Sequence, residues 1–317
     1  MEKITIVIPT YNESIGAKLL YDALTSTLNT EGFKYECLFV DDGSEDDTIE
    51  VINSIDEKEG FTISTLELSK NYGHQVALRA GYHAADGDVV ICMDADLQHP
   101  PEVVNKMLEK YKDGYEIVCG IRNDAHLEQS FKKRTSESFY KVWSWLTGVR
   151  LEPGSSDFRL LSRRVLDEIN AYQEKYLFIR GLIPQIGYQS YSLHYTPNDR
   201  EYGESKYSIR KMLSLSKNGI LWGSIKPLRL ASILAFATAM VAVLFGLYTI
   251  FTYFFGDGVV PGWASIVSII SFVGSLQLFA IGIVGEYLGQ VLQEVRGRPL
   301  YHVRSFNRKM MSLIDAK

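Results

Sequence analysis

The chain has 317 residues, 46% of them hydrophobic and 22% charged, a length that accommodates one large domain or two modest ones. A formal net charge of −5 and a pI near 5.8 argue against a nucleic-acid-binding surface, so no nucleic-acid partner is expected. Three cysteines, Cys37, Cys92 and Cys119, lie in separate strand-like runs. That odd count without close spacing suits reduced core thiols in the cytosol, not a disulfide framework or a zinc site.

Ile4 to Pro9 reads as a first strand, its apolar run being too short for a secretory signal. Ser14 to Leu28 reads as a helix, Tyr35 to Asp41 as a strand and Asp46 to Glu59 as a polar-faced helix. Phe61 to Leu68 follows as a strand, Gln75 to Ala85 as a helix and Val89 to Asp94 as a strand. Pro101 to Lys112 is then a helix, and Ile117 to Ile121 is the strand that closes the set. Continuous Val/Ile runs without alternation indicate strands covered on both faces, hence a mostly parallel α/β sheet. From about 126 to 200 the pattern is mixed: an amphipathic helix near Phe131 to Leu146, the run Ser155 to Leu160, and a strand over 186–195. In Ser208 to Trp222, apolar Ile209, Met212, Leu213, Leu215, Ile220 and Trp222 alternate with Arg210, Lys211 and Lys217, as suits a helix lying on a membrane surface.

No charged residue occurs between Arg229 and Asp257, and none between Asp257 and Glu286. Each stretch exceeds the roughly 20 apolar residues that cross a bilayer, so two membrane spans are expected. Pro261-Gly262 in the connection makes them a helical hairpin. Lys217, Lys226 and Arg229 precede the first span, and Arg296, Arg298, Arg304, Arg308 and Lys309 follow the second. By the positive-inside rule both termini and the catalytic part are cytosolic, in a multi-pass protein of the cytoplasmic membrane. Gly274, Ser275, Gly282 and Gly285 would let helices pack closely, which favours oligomers.

Asp94-Ala95-Asp96 ends the apolar run Val89 to Met93 and precedes Leu97-Gln98-His99-Pro100-Pro101. Paired carboxylates at the mouth of a buried strand are costly unless a cation lies between them. Mg²⁺ or Mn²⁺, which take one or two carboxylates plus phosphate oxygens, answer that need. Alone, the pair could merely cap the next helix. Yet Thr10-Tyr11-Asn12-Glu13 and Asp41-Asp42-Gly43-Ser44 also follow strands, and ligands of parallel sheets sit at the carboxyl ends of strands. Convergence of the three segments makes a site.

Together these motifs resemble the family 2 glycosyltransferases of GT-A fold, and more narrowly the polyprenyl-phosphate glycosyltransferases, the bactoprenol glucosyltransferases and dolichol-phosphate mannose synthases. The matching segments are Val7 to Glu13, Val40 to Ser44, Leu68 to Gln75, Asp94 to Gln98, Ser156 to Arg159 and Gly203 to Tyr207. The hairpin with Gly285-Glu286-Tyr287-Leu288-Gly289 resembles the bacterial membrane-anchored branch. The implied organisation is a GT-A domain over 1–207, an amphipathic juxtamembrane helix over 208–227, two spans within 228–290 (about 230–256 and 261–285) and a basic cytosolic tail over 291–317.

The resemblance implies inverting transfer of one hexose from a UDP-sugar to undecaprenyl phosphate, for cell wall biogenesis. Glucose is the first expectation, N-acetylglucosamine or galactose the alternatives. Charge builds on the departing diphosphate, and a metal held by Asp94 and Asp96 would neutralise it. By analogy Asp96 is the principal metal ligand, while Asp94 acts partly through the ribose or water. Tyr11 would stack on the base, Asp42 would accept the uracil imide N–H, and Pro9, Glu13, Ala95 and Gln98 would complete the donor site. Plainer roles for Pro9, Asp42 and Tyr11 are strand end, turn and packing. A phosphate acceptor is largely deprotonated at cytosolic pH, so positioning cations matter more than a strong base. Arg122, Arg200 and Lys206 are the candidates, with Lys132 and Arg134 as further ones. Asp157 is the carried-over catalytic carboxylate, as base, hydroxyl holder or orienting group. His74 and His99 could touch substrate, though a lone histidine is more often a polar loop residue. His99 stands where such relatives often carry an acidic residue.

A processive synthase would need a Gln-x-x-Arg-Trp motif and more spans, and neither is present. A silent membrane scaffold would not need Asp94, Asp96, Asp157 and Lys206 intact. The partners expected are a homo-oligomer, with a tetramer in keeping with the family, a separate flippase and a downstream glycosyltransferase.

Overall fold

A computed structural model describes residues 1–123, 144–148, 152–175, 177–198, 224–255 and 262–308. The first strands carry apolar residues toward both faces because both faces are covered. In β1 (Glu2–Thr10), Ile4, Ile6 and Ile8 point to one side, against α1 (Ser14–Thr27) and α4 (Pro101–Lys112). Val7 points to the other, against α3 (His74–Ala84). That packing is close: a Cβ on Gly81 of α3 would lie 2.3 Å from Val7 Cγ1. β2 (Phe33–Asp41) and β4 (Val89–Cys92) flank β1 and β3 (Phe61–Leu68) flanks β2, all four parallel to one another, and α2 (Thr48–Asn53) links β2 to β3.

The remainder of the sheet is mixed. β5 (Ile117–Arg122) does not lie beside β4; β6 (Ser155–Ser162) inserts between them, antiparallel to both. β6 covers the run that the sequence singled out as Ser155 to Leu160. It feeds α5 (Arg163–Ala171), whose N-cap Ser162 accepts from Val165 N–H. α6 (Ile179–Ile186) ends at Gly187, with φ of 78°, and β7 (Ser190–Tyr195) pairs parallel to β5. The expected strand over 186–195 is therefore shorter, its first residues belonging to this helix end.

Two long apolar helices follow, α7 (Lys226–Phe255) and α8 (Trp263–Val295). Within them, 226–248 and 268–295 are long and apolar enough to cross a membrane. Phe236, Ile270 and Phe272 are among the large side chains left exposed on them.

Up to residue 308, the expected basic tail over 291–317 takes regular structure. α8 continues to Val295, and Val303–Arg308 is a strand, β8, antiparallel to β3. The full sheet order is β7-β5-β6-β4-β1-β2-β3-β8. Val-Arg-Ser-Phe-Asn-Arg reads as tail because its charges are those of an edge strand, and their partners lie far away in sequence. Arg304 Nη1 donates to Glu67 Oε1 at 2.6 Å, and Arg308 Nε to Glu36 Oε1 at 2.9 Å. Glu36 is buried and also meets Ser64 Oγ at 2.7 Å and Lys3 Nζ at 3.0 Å. Burial alone would raise its pKa, but Arg308, Ser64 and Lys3 reverse that and hold it at about 2.

Most of the amphipathic segments near 131–146 and 208–227 lie outside the described residues, as do Lys132, Arg134, Arg200 and Lys206.

Candidate active site

Parallel pairing sets the carboxyl ends of β4, β1 and β2 side by side. Thr10 is in register with Asp41, and Met93 N–H donates to Val7 O at 3.0 Å. Loops leaving these strands are stitched together: Asn12 N–H donates to Ser44 Oγ, and Glu45 N–H to Asn12 Oδ1, both at 2.9 Å. Glu13 N–H reaches Thr48 Oγ1 at 3.0 Å. Asn12 has φ of 52° and Leu97 of 60°, left-handed backbone that non-glycine residues seldom adopt, and both lie in the rim loops.

Asp94, on the rim, has a half-buried side chain. Its Oδ1 lies 3.6 Å from His74 Nε2 and its Oδ2 3.8 Å from His99 Nε2. His99 is buried and stacks on Phe158 at 4.6 Å between ring centres. Its Nδ1 accepts the Asp94 N–H at 3.2 Å, which leaves Nε2 as the protonated nitrogen of the neutral ring. Burial lowers its pKa, in keeping with a neutral imidazole. Asp96 Oδ1 accepts the Gln98 N–H at 3.2 Å. Ala95 is buried against α1, where a Cβ on Gly16 would come within 2.8 Å of Ala95 O.

β6 completes the centre because it runs antiparallel to β4. Register Cys92↔Arg159 places the start of β6 beside the end of β4, bringing Asp157 toward Asp94. His74 spans the two, its Nε2 also 3.5 Å from Asp157 Oδ2. Burial would lower the His74 pKa, but Asp157 and Asp94 outweigh it and push it up to about 9. Asp157 is 2% exposed and fully engaged. Arg180 of α6 forks onto it, Nε to Oδ1 at 2.9 Å and Nη2 to Oδ2 at 2.8 Å. Gln75 Nε2 donates to Oδ2 at 2.8 Å and Arg159 Nη2 to Oδ1 at 3.2 Å. Burial works against ionisation, yet these cations and donors hold the Asp157 carboxyl well below the usual range.

Asp42 is buried at the end of β2, where its oxygens accept Tyr72 N–H and Gly73 N–H, each at 2.7 Å. The expected base contact would use what acceptor capacity those bonds leave. Burial raises the pKa of Asp42 and of its neighbour Asp41. Gly43, with φ of 71°, lies so close to the next loop that a Cβ would be 2.4 Å from Lys70 C. Pro9 is buried within β1, while Tyr11 and Glu13 are half-buried in the loop after it. Arg122 Nη1 donates to Gln98 Oε1 at 3.2 Å, so an expected acceptor residue and an expected donor residue meet.

The structure thus brings Asp94, Asp96, Asp157, Gln98 and Arg122 to one rim, with Pro9, Tyr11, Glu13 and Asp42 at the ends of β1 and β2. His74 is expected from the sequence as a possible substrate contact or a polar loop residue, Gln75 is expected only as part of the matching segment Leu68 to Gln75, and Arg180 is not singled out. Asn-Tyr-Gly-His-Gln following a strand marks the first two, but nothing local marks Arg180, which reaches Asp157 from a separate helix.

Residues 5–169 match glycosyl transferase family 2, and residues 226–291 match the GtrB C-terminal hairpin. The chain belongs to glycosyl transferase family 2 and is a glycosyltransferase of α/β, GT-A fold. The uncharacterized glycosyltransferase YkcC of Bacillus subtilis (strain 168) is 37% identical over 303 residues, covering 95% of this chain and 93% of that protein. The SfII prophage-derived bactoprenol glucosyl transferase of Shigella flexneri is 33% identical over 307 residues, 96% of this chain and 99% of that one. Among solved structures, the mannosyltransferase PcManGT from Pyrobaculum calidifontis aligns with a TM-score of 0.45 at 13% identity, covering 90% of this chain and 87% of that one.

Proposed function

We propose that this enzyme transfers a single glucose from UDP-glucose to undecaprenyl phosphate with inversion, yielding a lipid-linked monophosphate sugar for cell-envelope glycans. One observation carries the reading: a rim of carboxylates suited to a nucleotide sugar and two membrane-length helices share one folded unit. β8, which follows those helices, completes the catalytic sheet. Relatives named bactoprenol glucosyl transferase, matched over nearly their whole length, support glucose and a lipid carrier. The helices then cross the cytoplasmic membrane as a hairpin with the sheet on the cytosolic side, an arrangement favoured by the flanking Arg and Lys residues.

In this reading an acceptor phosphate oxygen attacks the anomeric carbon as the bond to the diphosphate breaks, and UDP leaves. Asp94 and Asp96 would hold Mg²⁺ or Mn²⁺, which supplies charge neutralisation at the leaving diphosphate. The donor set suits such an ion: hard oxygens one residue apart, and an Asp94 carboxylate whose imidazole neighbours stand 3.6 Å and 3.8 Å away. Gln98, fixed by Arg122, contacts the donor, and Arg122 lends positive charge on the acceptor side. Arg200 and Lys206, with Lys132 and Arg134, are assigned to the acceptor phosphate, Tyr11 to the base, and Pro9, Glu13, Asp42 and Ala95 to the rest of the nucleotide pocket. Asp157, ionised and clamped, orients the centre and is not a proton acceptor. A deprotonated phosphate nucleophile needs none. A homo-oligomer, a separate flippase and a downstream glycosyltransferase complete the proposed setting.

The test is transfer by purified protein in detergent from radiolabelled UDP-sugars to undecaprenyl phosphate, with Mg²⁺ or Mn²⁺ and with chelator. One acid-labile glucolipid is expected, lost with chelator and reduced at least ~100-fold in Asp96→Ala. UDP binding without transfer from any UDP-sugar would sink the assignment of donor or acceptor.

A further inference from the structure

Beyond the rim, the polypeptide from the end of α5 into the first turn of α6 is tied at three points. Arg79, buried on α3, donates Nη1 to Glu174 O and Nη2 to Tyr172 O. At the second point, Lys175 N–H donates to Glu294 Oε1 at 2.8 Å and Lys175 Nζ to Gln293 O at 2.7 Å. The third is Arg180, whose fork holds Asp157. Between the last two, Leu177 and Ile179 are buried in the core on the α3 face of the sheet.

The second tie comes from the last turn of α8. Glu294 is half-buried there, while Gln293 and Val295 beside it are exposed, which singles out its side chain as the one turned inward. The same end of α8 is braced on the start of α7, where Tyr287 Oη donates to Ser224 O at 2.6 Å. A carboxylate accepting a backbone N–H is a strong, directional bond. Its donor, Lys175, lies five residues before Arg180, and its acceptor, Glu294, eight residues past Glu286, the charge that closes the second apolar stretch.

We propose that Glu294 is a positioning residue: it seats the strap from Tyr172 to Arg180 on the cytosolic end of the second apolar helix, and so sets where Arg180 and Asp157 stand relative to the membrane. The consequence concerns a substrate anchored in a bilayer. A lipid phosphate has a fixed depth, so an active site serving it needs its own depth fixed, and reacting groups misplaced by about 1 Å lose rate steeply. A donor arriving from solution imposes no such demand. Glu294 therefore governs use of the lipid-linked acceptor and leaves nucleotide binding alone. This rests on the proposed reaction only for the acceptor; the seating itself is independent of it.

The experiment compares full-length wild type, Glu294→Ala and Glu294→Gln in lipid nanodiscs. Amide hydrogen exchange over 172–180 reads the seating without any need for turnover. UDP binding with Mn²⁺ reads the donor site, and transfer to undecaprenyl phosphate reads the acceptor side. Glu294→Ala is expected to speed exchange over 172–180 and to lower turnover about tenfold, as the loss of one charge-assisted hydrogen bond implies. UDP affinity should stay within about twofold, and Glu294→Gln, which keeps the acceptor oxygen, should restore most of both effects. Unchanged exchange in Glu294→Ala overturns the proposal whatever the turnover. Faster exchange with equal loss of UDP binding also overturns it, since that marks general unfolding. If wild type transfers no sugar yet Glu294→Ala speeds exchange over 172–180 alone, the reading of the reaction fails and the seating stands.

Discussion

At Asp157 the chain gathers Arg180, Arg159, Gln75 and His74 around one buried carboxylate. Such a group is costly to remove, because its partners stay behind. Asp157→Asn leaves the buried Arg159 guanidinium undercompensated, and breaking a buried pair on one side costs roughly 3–5 kcal/mol. Asp157→Asn should therefore lower the unfolding free energy by that order, along with transfer activity, when thermal and denaturant unfolding are followed in detergent. Loss of transfer with unchanged stability would instead make Asp157 a proton acceptor. Asp94, with a side chain about a third exposed on the rim, sits in the opposite situation, open to solvent. Two aspartates facing across the ends of β4 and β6 thus differ in kind, and no residue-level pattern in the sequence separates them. The motif around Asp94 was legible because paired carboxylates after an apolar strand are a local signal. The clamp on Asp157 was not, because Arg180 arrives from a different element.

Among the elements, legibility followed burial. The expected strand Phe61–Leu68 matches β3 to the residue, since β-branched and large apolar side chains dominate a run that is mostly buried. Val303–Arg308 was missed because an edge strand can be charged on one side and wet on the other. The position of β6 was also missed, because antiparallel insertion between β4 and β5 is a long-range choice. β8 carries the clearest dependence on pH. Glu36 has its folded pKa held at about 2, below the ordinary carboxylate value of 4.5. It therefore contributes stability above about pH 4.5 that fades as pH falls toward 2. Arg308→Met removes a principal cause of that shift and should move the loss to higher pH. Unfolding measured between about pH 2 and 6 should show the variant destabilised at neutral pH and its acid transition shifted upward. An unaltered acid transition would mean that Lys3 and Ser64 suffice to hold Glu36 ionised.

On the scale of the whole molecule, the hairpin is an insertion within the sheet, since the strand after it pairs with β3. The division read from sequence into a catalytic domain, spans and a tail therefore understates how tightly the parts are joined. Cutting the chain after residue 223 would remove β8 as well as both apolar helices, stripping the edge of β3 and leaving buried Glu36 without Arg308. Such a fragment should aggregate, with its unpaired strand edge available to other chains. A version in which residues 299–317 are rejoined to residue 223 by a short flexible linker should stay monodisperse on size exclusion. Equal behaviour of the two fragments would show that β8 is dispensable.

The return of the chain to β3 also dictates an order of events during synthesis. The edge of the sheet cannot be finished until both apolar helices have left the ribosome, because its last strand is made after them. Through that interval the growing domain holds open a place that only its own distant continuation fills. Completion of the fold thus reports that the chain has been made through both helices, and a chain cut short before Val303 is left with an exposed strand for quality control to recognise.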